Sequence, residues 1–168
     1  MENDFVKTES REDFENQLHF SYSQLSTFLI CPMKYAHQYV WGTQPETKPV
    51  ALPFGRAIHK AAEAYYRTLK DTGEIAPVDQ VIAAFEMVFD NDIKSTEVEL
   101  TLKEDETLGT IREQGVQLLK LFCQEIRPQT IAAIESSFSV AVPDILNGGG
   151  ELPIKLVGFF DLVERDEH

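Results

Sequence analysis

His59 and Glu63 are two side chains that can bind a metal ion or move a proton. They stand four apart in "FGRAIHKAAEAYYRTLK", an alanine-rich stretch that predicts a helix over 54–70, so both side chains lie on one helix face. Imidazole is a common metal ligand in proteins. A histidine beside a buried apolar face is more often a structural residue, so the helix alone leaves both interpretations open.

A second candidate is Asp161, which interrupts the apolar stretch "LVGFFDLV". A carboxylate in apolar surroundings needs a partner, a metal ion or a proton. Phe159 and Val163 share its strand face, so simple alternation does not assign it to solvent, and Gly158 indicates that another group approaches the backbone. Glu135, in the preceding predicted strand, adds another acid if the strands pair. An exposed strand carboxylate is an equally good interpretation of Glu135.

Cys31, in "CPMKY", could supply a thiolate to a metal. An iron–sulfur cluster takes four ligands, and Cys123 is the only other cysteine in the chain. We therefore expect no complete cluster in this chain; the family resemblance described below implies one matching position, Cys31. A lone cysteine is more often a small buried hydrophobe.

Four basic side chains near these candidates could contact phosphates: Arg56, Lys60, Arg67 and Lys34. A solvated surface is the preferred interpretation for all of them except Arg56. The net charge of −13 also opposes nucleic-acid binding, which depends on Lys and Arg. A local basic patch can nevertheless exist within an acidic total.

The elements that must position these residues are several helices followed by two strands. Ser21 or Ser23 can cap the first helix, and Pro32 ends that helix or opens the next. The pattern then predicts a loop at 42–53, helices at 54–70, 78–92 and about 105–127, and strands at 130–143 and 154–166. The polar segment 97–106 is ambiguous between a strand and a loop, and a loop is favoured. Two strands alone make a marginal sheet.

The composition is that of a globular domain: 168 residues, of which 43% are hydrophobic and 26% charged. The first 20 residues are acidic and polar and are expected to form a flexible arm. They have neither the basic start nor the apolar stretch of an export signal. With only two cysteines, the sequence favours a reducing compartment, the cytoplasm.

Four segments occur in an order that resembles a known family: "SYSQLSTFLICPMKYAHQYVW", "FGRAIHKAAEAYY", "IESSFSV" and "LVGFFDLVER". The same order is found in the RecB-like branch of the PD-(D/E)XK nuclease superfamily, which includes AddB-type helicase–nuclease subunits and CRISPR-associated exonucleases. The resemblance covers nearly everything from Ser21 to Arg165. It implies an α/β restriction-endonuclease-like core, here with helices packed on an incomplete sheet.

The resemblance also implies roles for individual residues. His59 matches a Gly-x-x-x-His helix whose histidine approaches the active-site metal, and Asp161 matches a Gly-x-x-Asp strand whose aspartate binds Mg²⁺ or Mn²⁺. Glu63 and Glu135 would support this site. The implied activity is hydrolysis of DNA phosphodiester bonds by an exonuclease of DNA repair, with a helicase, repair or CRISPR partner. Such chemistry needs a hard cation held by oxygen ligands.

The family pattern continues with an Asp/Glu-x-Lys strand, yet no lysine follows Asp161 in this chain. We therefore interpret residues 21–168 as a partial nuclease domain that is inactive or nearly so alone. One alternative is a non-catalytic nucleic-acid- or protein-binding module that keeps the fold. Another is a helical domain whose open strand edge at 154–163 pairs with a second chain, and self-association through that edge is expected.

Overall fold

A computed structural model describes residues 19–128, 130–146 and 148–165. Their contacts divide the chain into two compact units. The first contains the described residues up to Gln44 together with Glu135–Val163, and the second contains Pro45–Ile134 with the described residues after Val163. None of the helices in the described part of the chain is long and apolar enough to cross a membrane.

The structure has the mixed α/β composition expected from the sequence. Its helices are α1 (Tyr22–Ile30), α2 (Pro32–Tyr35), α3 (Ala51–Thr72), α4 (Val78–Ser95) and α5 (Leu108–Glu125), with a π-helical turn at Ala36–Val40. Its strands are β1 (His19–Ser21), β2 (Thr47–Pro49), β3 (Glu99–Thr101), β4 (Thr130–Pro143) and β5 (Glu151–Arg165). This architecture is consistent with a restriction-endonuclease-like fold.

The second unit is built on three helices that pack through complementary faces. α3 buries alanines and Tyr65 at intervals of four, and α4 buries aromatic and β-branched residues at the same spacing. The residues of this apolar core are Val50, Ala57, Ala61, Tyr65, Ala76, Val81, Phe85, Phe89, Ile111, Leu119 and Cys123. The small alanines of α3 let the larger side chains of α4 approach its backbone. The core therefore fixes α3, the helix that carries His59 and Glu63.

α3 begins at Ala51, three residues before the predicted start at 54. Pro53 lies in the first turn, where the missing amide hydrogen has no helical partner to lose. At the other end, Gly73 adopts the left-handed conformation with a φ of 73° and donates its amide to the Leu69 carbonyl at 2.9 Å. A left-handed residue at this position ends the helix and favours glycine.

The loop predicted at 42–53 is wrong in part, because it contains β2. In the ambiguous segment 97–106 the favoured loop is also wrong in part, because its strand alternative is realised in β3. β2 and β3 pair in parallel, with Thr47 opposite Glu99 and Pro49 opposite Thr101. Val50 extends the pairing by donating its amide to the Thr101 carbonyl at 3.1 Å. Three-residue strands are too short to show an alternating pattern, and their partners are far apart in sequence.

The first unit contains a three-stranded sheet in the order β1-β5-β4. The connection between β4 and β5 is too short for a parallel crossover, so these strands form a hairpin, as predicted. β1 pairs in parallel with β5, with His19 opposite Lys155 and Ser21 opposite Val157.

Strand β1 bears on two predictions, the open edge of β5 and the flexible N-terminal arm. The predicted open edge over 154–163 is wrong for Lys155, Leu156 and Val157, because β1 covers them. Most of the predicted flexible arm, residues 1–18, lies outside the described residues. The last two positions of that segment, His19 and Phe20, belong to β1.

The start of α1 follows from local hydrogen bonds. Ser21 Oγ accepts from the Gln24 amide at 3.3 Å, while Gln24 Oε1 accepts from the Ser21 amide at 2.7 Å. This reciprocal capping satisfies two amides that would otherwise lack a helical partner. Of the two predicted caps, Ser21 is therefore the one used.

Candidate functional site

α3 brings the ligand atoms of His59 and Glu63 within 4.8 Å of each other. The two residues are one helical turn apart, and both are half-buried. An imidazole nitrogen and a carboxylate oxygen at this separation can contact the same small cation or share a proton. The predicted common face of these residues is confirmed.

Glu63 is also held by two basic side chains of the same helix. Arg67 donates from Nε to Glu63 Oε1 at 2.9 Å, and Lys60 donates to Glu63 Oε2. Burial alone would raise the pKa of Glu63, but the hydrogen bonds and charges of Lys60 and Arg67 outweigh it and hold that pKa below its ordinary value. Glu63 is therefore a carboxylate at neutral pH, and each of its oxygens accepts a hydrogen bond from a basic side chain.

Arg56 lies one turn before Lys60 and forms an ion pair with α4. Its Nη1 donates to Asp92 Oδ1 at 2.9 Å; the Asp92 side chain is largely buried, whereas that of Arg56 is 66% exposed. Sequence reasoning missed Asp92, although a signal was present, since it continues the buried series of Val81, Phe85 and Phe89 on α4. An acid on an apolar helix face needs a partner from another element, and Arg56 supplies it.

The other acidic candidates lie on neighbouring strands of the first unit. Asp161, on β5, is exposed, and Glu135, on β4, is half-buried. Glu135 has a φ of 52°, the one positive φ among the described non-glycine residues. A left-handed residue inside a strand breaks the alternation of side chains, and the next two residues, Ser136 and Ser137, are both buried.

The left-handed conformation of Glu135 has no signal in the sequence. Glutamate is not a residue that favours it, so it costs free energy and persists only because the surrounding structure enforces it. Such residues cluster at functional sites. The Oγ of Ser136, directly after Glu135, is buried and makes no hydrogen bond within the described part of the chain.

Gly158 gives β5 close contact with β4. A Cβ atom at this position would lie 2.6 Å from Cζ of Phe138, so the predicted close approach to its backbone is confirmed. The Phe138 ring also packs on Phe160, with centroids 4.8 Å apart. These contacts fix the segment of β5 that leads into Asp161.

The two cysteines have local structural roles. Cys31 caps α2, where its Sγ accepts from the Lys34 amide at 3.4 Å. Cys123 lies in the core of the second unit, and burial raises the pKa of its thiol. Lys34, a weak candidate for phosphate contact, is an exposed residue of α2.

The structure thus places His59, Glu63, Lys60 and Arg56 along one helix of the second unit. It places Asp161 and Glu135 on adjacent strands of the first unit. Arg67 received little weight in the sequence analysis, yet it is a principal partner of Glu63.

A family model described as the PD-(D/E)XK nuclease superfamily matches residues 19–168. No curated protein and no solved structure matches the chain.

Proposed function

The chain belongs to the PD-(D/E)XK nuclease superfamily, and we propose that it acts as a metal-dependent nuclease that hydrolyses phosphodiester bonds in DNA. The observation that carries this proposal is the family match, which extends over nearly the whole chain, from residue 19 to residue 168. A superfamily of nucleases implies a nucleic-acid substrate. DNA, rather than RNA, is the substrate suggested by the resemblance to RecB-like enzymes.

We propose Asp161 and His59 as the metal ligands. Oxygen ligands suit the hard cations Mg²⁺ and Mn²⁺, and Asp161 is an exposed carboxylate at the position of the family's Gly-x-x-Asp motif. His59 can add a neutral imidazole nitrogen. A divalent cation, when bound, lowers the pKa of water and offsets negative charge on the phosphate.

Glu63 and Glu135 are proposed as supporting residues. Glu63 lies close enough to His59 to orient the imidazole or to share its metal ion, and carboxylates commonly orient metal-binding histidines. Glu135 is supported by its place in the family's preceding strand and by its unusual backbone conformation.

Arg56, Lys60 and Lys34 are proposed as substrate contacts. Arg56 and Lys60 are partly exposed and lie within one turn of His59 on α3. Both already have acidic partners, Asp92 and Glu63, whose side chains are only 11% and 12% exposed. Because leaving such a carboxylate unpaired is costly, we propose that substrate phosphate binds the exposed cations alongside these partners and does not replace them.

The order of the four motifs further supports a RecB-like exonuclease that works in DNA repair beside a helicase or CRISPR partner. The small number of cysteines favours the cytoplasm as its location. Because no lysine follows Asp161 in the sequence, we propose that these 168 residues alone cleave weakly or not at all. The catalytic assay is therefore designed for the full encoded protein.

A non-catalytic binding module is the second candidate function. It is favoured by the net charge of −13, which opposes the binding of a DNA substrate. Cleavage of a labelled DNA oligonucleotide separates the two functions. The nuclease proposal predicts cleavage that chelation by EDTA stops and that added Mg²⁺ or Mn²⁺ restores. Binding without any metal-dependent cleavage would support the module and contradict the nuclease.

A further inference from the structure

One face of α3 carries an uninterrupted series of charged residues. Four of them are basic, Arg56, Lys60, Arg67 and Lys70, and one is acidic, Glu63. Their spacing of three or four residues repeats along the helix, so at 100° per residue the five side chains fall within an arc of about 80°. We call these four basic residues the basic stripe.

The basic stripe stands out against the rest of the chain. The whole sequence has 15 basic and 28 acidic residues, whereas α3 has four basic and only two acidic ones, Glu63 and Asp71. The excess of positive charge on α3 is therefore local. Nucleic-acid-binding surfaces of acidic proteins depend on local concentrations of this kind.

The basic stripe is accessible to a large ligand. The side chains of Arg56, Lys60 and Arg67 are 66%, 40% and 56% exposed, and Lys70 is an exposed residue. The basic stripe lies on a different face of α3 from the buried residues Ala57, Ala61 and Tyr65, which pack into the core. Binding a ligand to the stripe would thus leave the core undisturbed.

The basic stripe can bind a ligand without losing its existing partners. Arg56 pairs with Asp92, Lys60 and Arg67 share the single carboxylate of Glu63, and Lys70 donates to the Ala132 carbonyl at 3.1 Å. A guanidinium carries five N–H donors and an ammonium three, so each of these cations can contact a phosphate while keeping its present partner. The exposed ends of the ion pairs are the cations, whereas the carboxylates of Asp92 and Glu63 are largely buried.

We propose that the basic stripe binds successive phosphates of a nucleic-acid backbone and guides it past His59. This inference rests on the proposed nuclease function, because it names the surface that holds that enzyme's substrate. At 1.5 Å per residue, the stripe from Arg56 to Lys70 is about 21 Å long, enough for several consecutive phosphates. His59 borders the stripe, one residue before Lys60, so the bound backbone would run beside the proposed metal ligand.

The test measures DNA affinity as a function of salt concentration. Fluorescence anisotropy is recorded with labelled single-stranded and duplex oligonucleotides in EDTA, which prevents cleavage. The variant is Arg67→Gln/Lys70→Gln, which removes two charges from the stripe. The matched control is Lys94→Gln/Lys120→Gln, which removes two charges from exposed residues of α4 and α5.

The proposal predicts that the stripe variant weakens binding at low salt about tenfold or more. The slope of log affinity against log salt should become shallower by about 1.4 for single strands and about 1.8 for duplex. The control should keep the wild-type slope, and Arg67→Lys, which retains the charge, should keep it as well. A loss of affinity for only one of the two oligonucleotides would support the proposal and identify which form of DNA the stripe binds.

An unchanged slope in Arg67→Gln/Lys70→Gln would overturn the proposal. An equal change in the control would also overturn it, because net charge would then explain the effect. The cleavage assay separates this inference from the proposed function. Metal-dependent cleavage together with an unchanged salt slope in the stripe variant would refute only the binding role of the stripe. A shallower salt slope in the stripe variant without any metal-dependent cleavage would refute only the nuclease activity.

Discussion

The Phe138 ring on β4 occupies the space in which a side chain at position 158 of β5 would begin. A Cβ on Gly158 would lie 2.6 Å from Cζ and 2.7 Å from Cε1 of that ring. The contact favours glycine at this position, because any Cβ would require the ring to move, and it lies three residues before Asp161. The geometry of the proposed metal ligand therefore depends on a glycine that has no chemistry of its own.

Replacing Gly158 by alanine is predicted to destabilise the protein. The new methyl group must displace the Phe138 ring or the strand, and overpacking of this kind costs about 1–3 kcal/mol in the free energy of unfolding. Urea unfolding measures the change. The matched control is Gly55→Ala on α3, where no described atom lies within 4 Å of the new Cβ and alanine should be neutral or stabilising. Equal stability of the two variants would contradict this account of Gly158.

Glycine at position 135 is predicted to give a more stable protein than alanine at the same position, while both variants lose activity. Glycine adopts a φ of 52° without strain, so Glu135→Gly should have a free energy of unfolding about 1 kcal/mol higher than Glu135→Ala. It also removes a carboxylate proposed to support the metal site. Glu135→Ala is the control, because it removes the same carboxylate but keeps the strain. If the glycine variant were no more stable than the alanine variant, the left-handed backbone would not be a source of strain.

The stability supplied by Glu63 is predicted to disappear in acid. Its pKa is lower in the folded protein than its ordinary value of 4.5, so its carboxylate stabilises the fold above that pH. The contribution is lost as the pH falls through the lower, folded pKa. Glu63→Gln should therefore cost about 1 kcal/mol near pH 7 and progressively less below about pH 4.5.

Urea unfolding across this pH range measures the effect, with Glu113→Gln, at an exposed position of α5, as the control. The control should differ little from the wild type throughout the range. A cost of Glu63→Gln that is the same at about pH 3 as at pH 7 would show that the ion pairs with Lys60 and Arg67 do not stabilise the fold.

Replacing His59 by alanine is predicted to raise the metal concentration required for cleavage. A residue that completes or orients a metal site typically changes metal affinity 10- to 100-fold. Titration of cleavage with Mn²⁺ measures the change, and His37→Ala is the control, since His37 is an exposed residue whose Nδ1 lies 3.2 Å from Thr43 Oγ1. An identical Mn²⁺ dependence in wild type and His59→Ala would exclude His59 from the metal site.

The sequence was sufficient for features that depend on local patterns. The common face of His59 and Glu63 follows from helical spacing, and the strand character of β4 and β5 follows from their β-branched, alternating residues. The Ser21 cap and the new helix at Pro32 follow from the residue types that favour these positions.

Features that depend on distant pairing could not be predicted in the same way. The short strands β1, β2 and β3 acquire their identity only from partners far along the chain. Arg56 and Asp92 are 36 positions apart, and only the packing of α3 on α4 brings them together. The left-handed backbone of Glu135 is imposed by its surroundings, since the residue itself does not favour it.

The most direct test of the central claim is DNA cleavage by the full encoded protein carrying Asp161→Asn. The substitution keeps the size of the side chain and removes the charge proposed to hold the metal. The control, Asp105→Asn, makes the same change at an exposed position before α5. We expect Mg²⁺- or Mn²⁺-dependent cleavage by wild type and control, and a loss of at least about 100-fold in the Asp161 variant, the scale on which positioned catalytic groups act. Wild-type cleavage by Asp161→Asn would contradict this expectation.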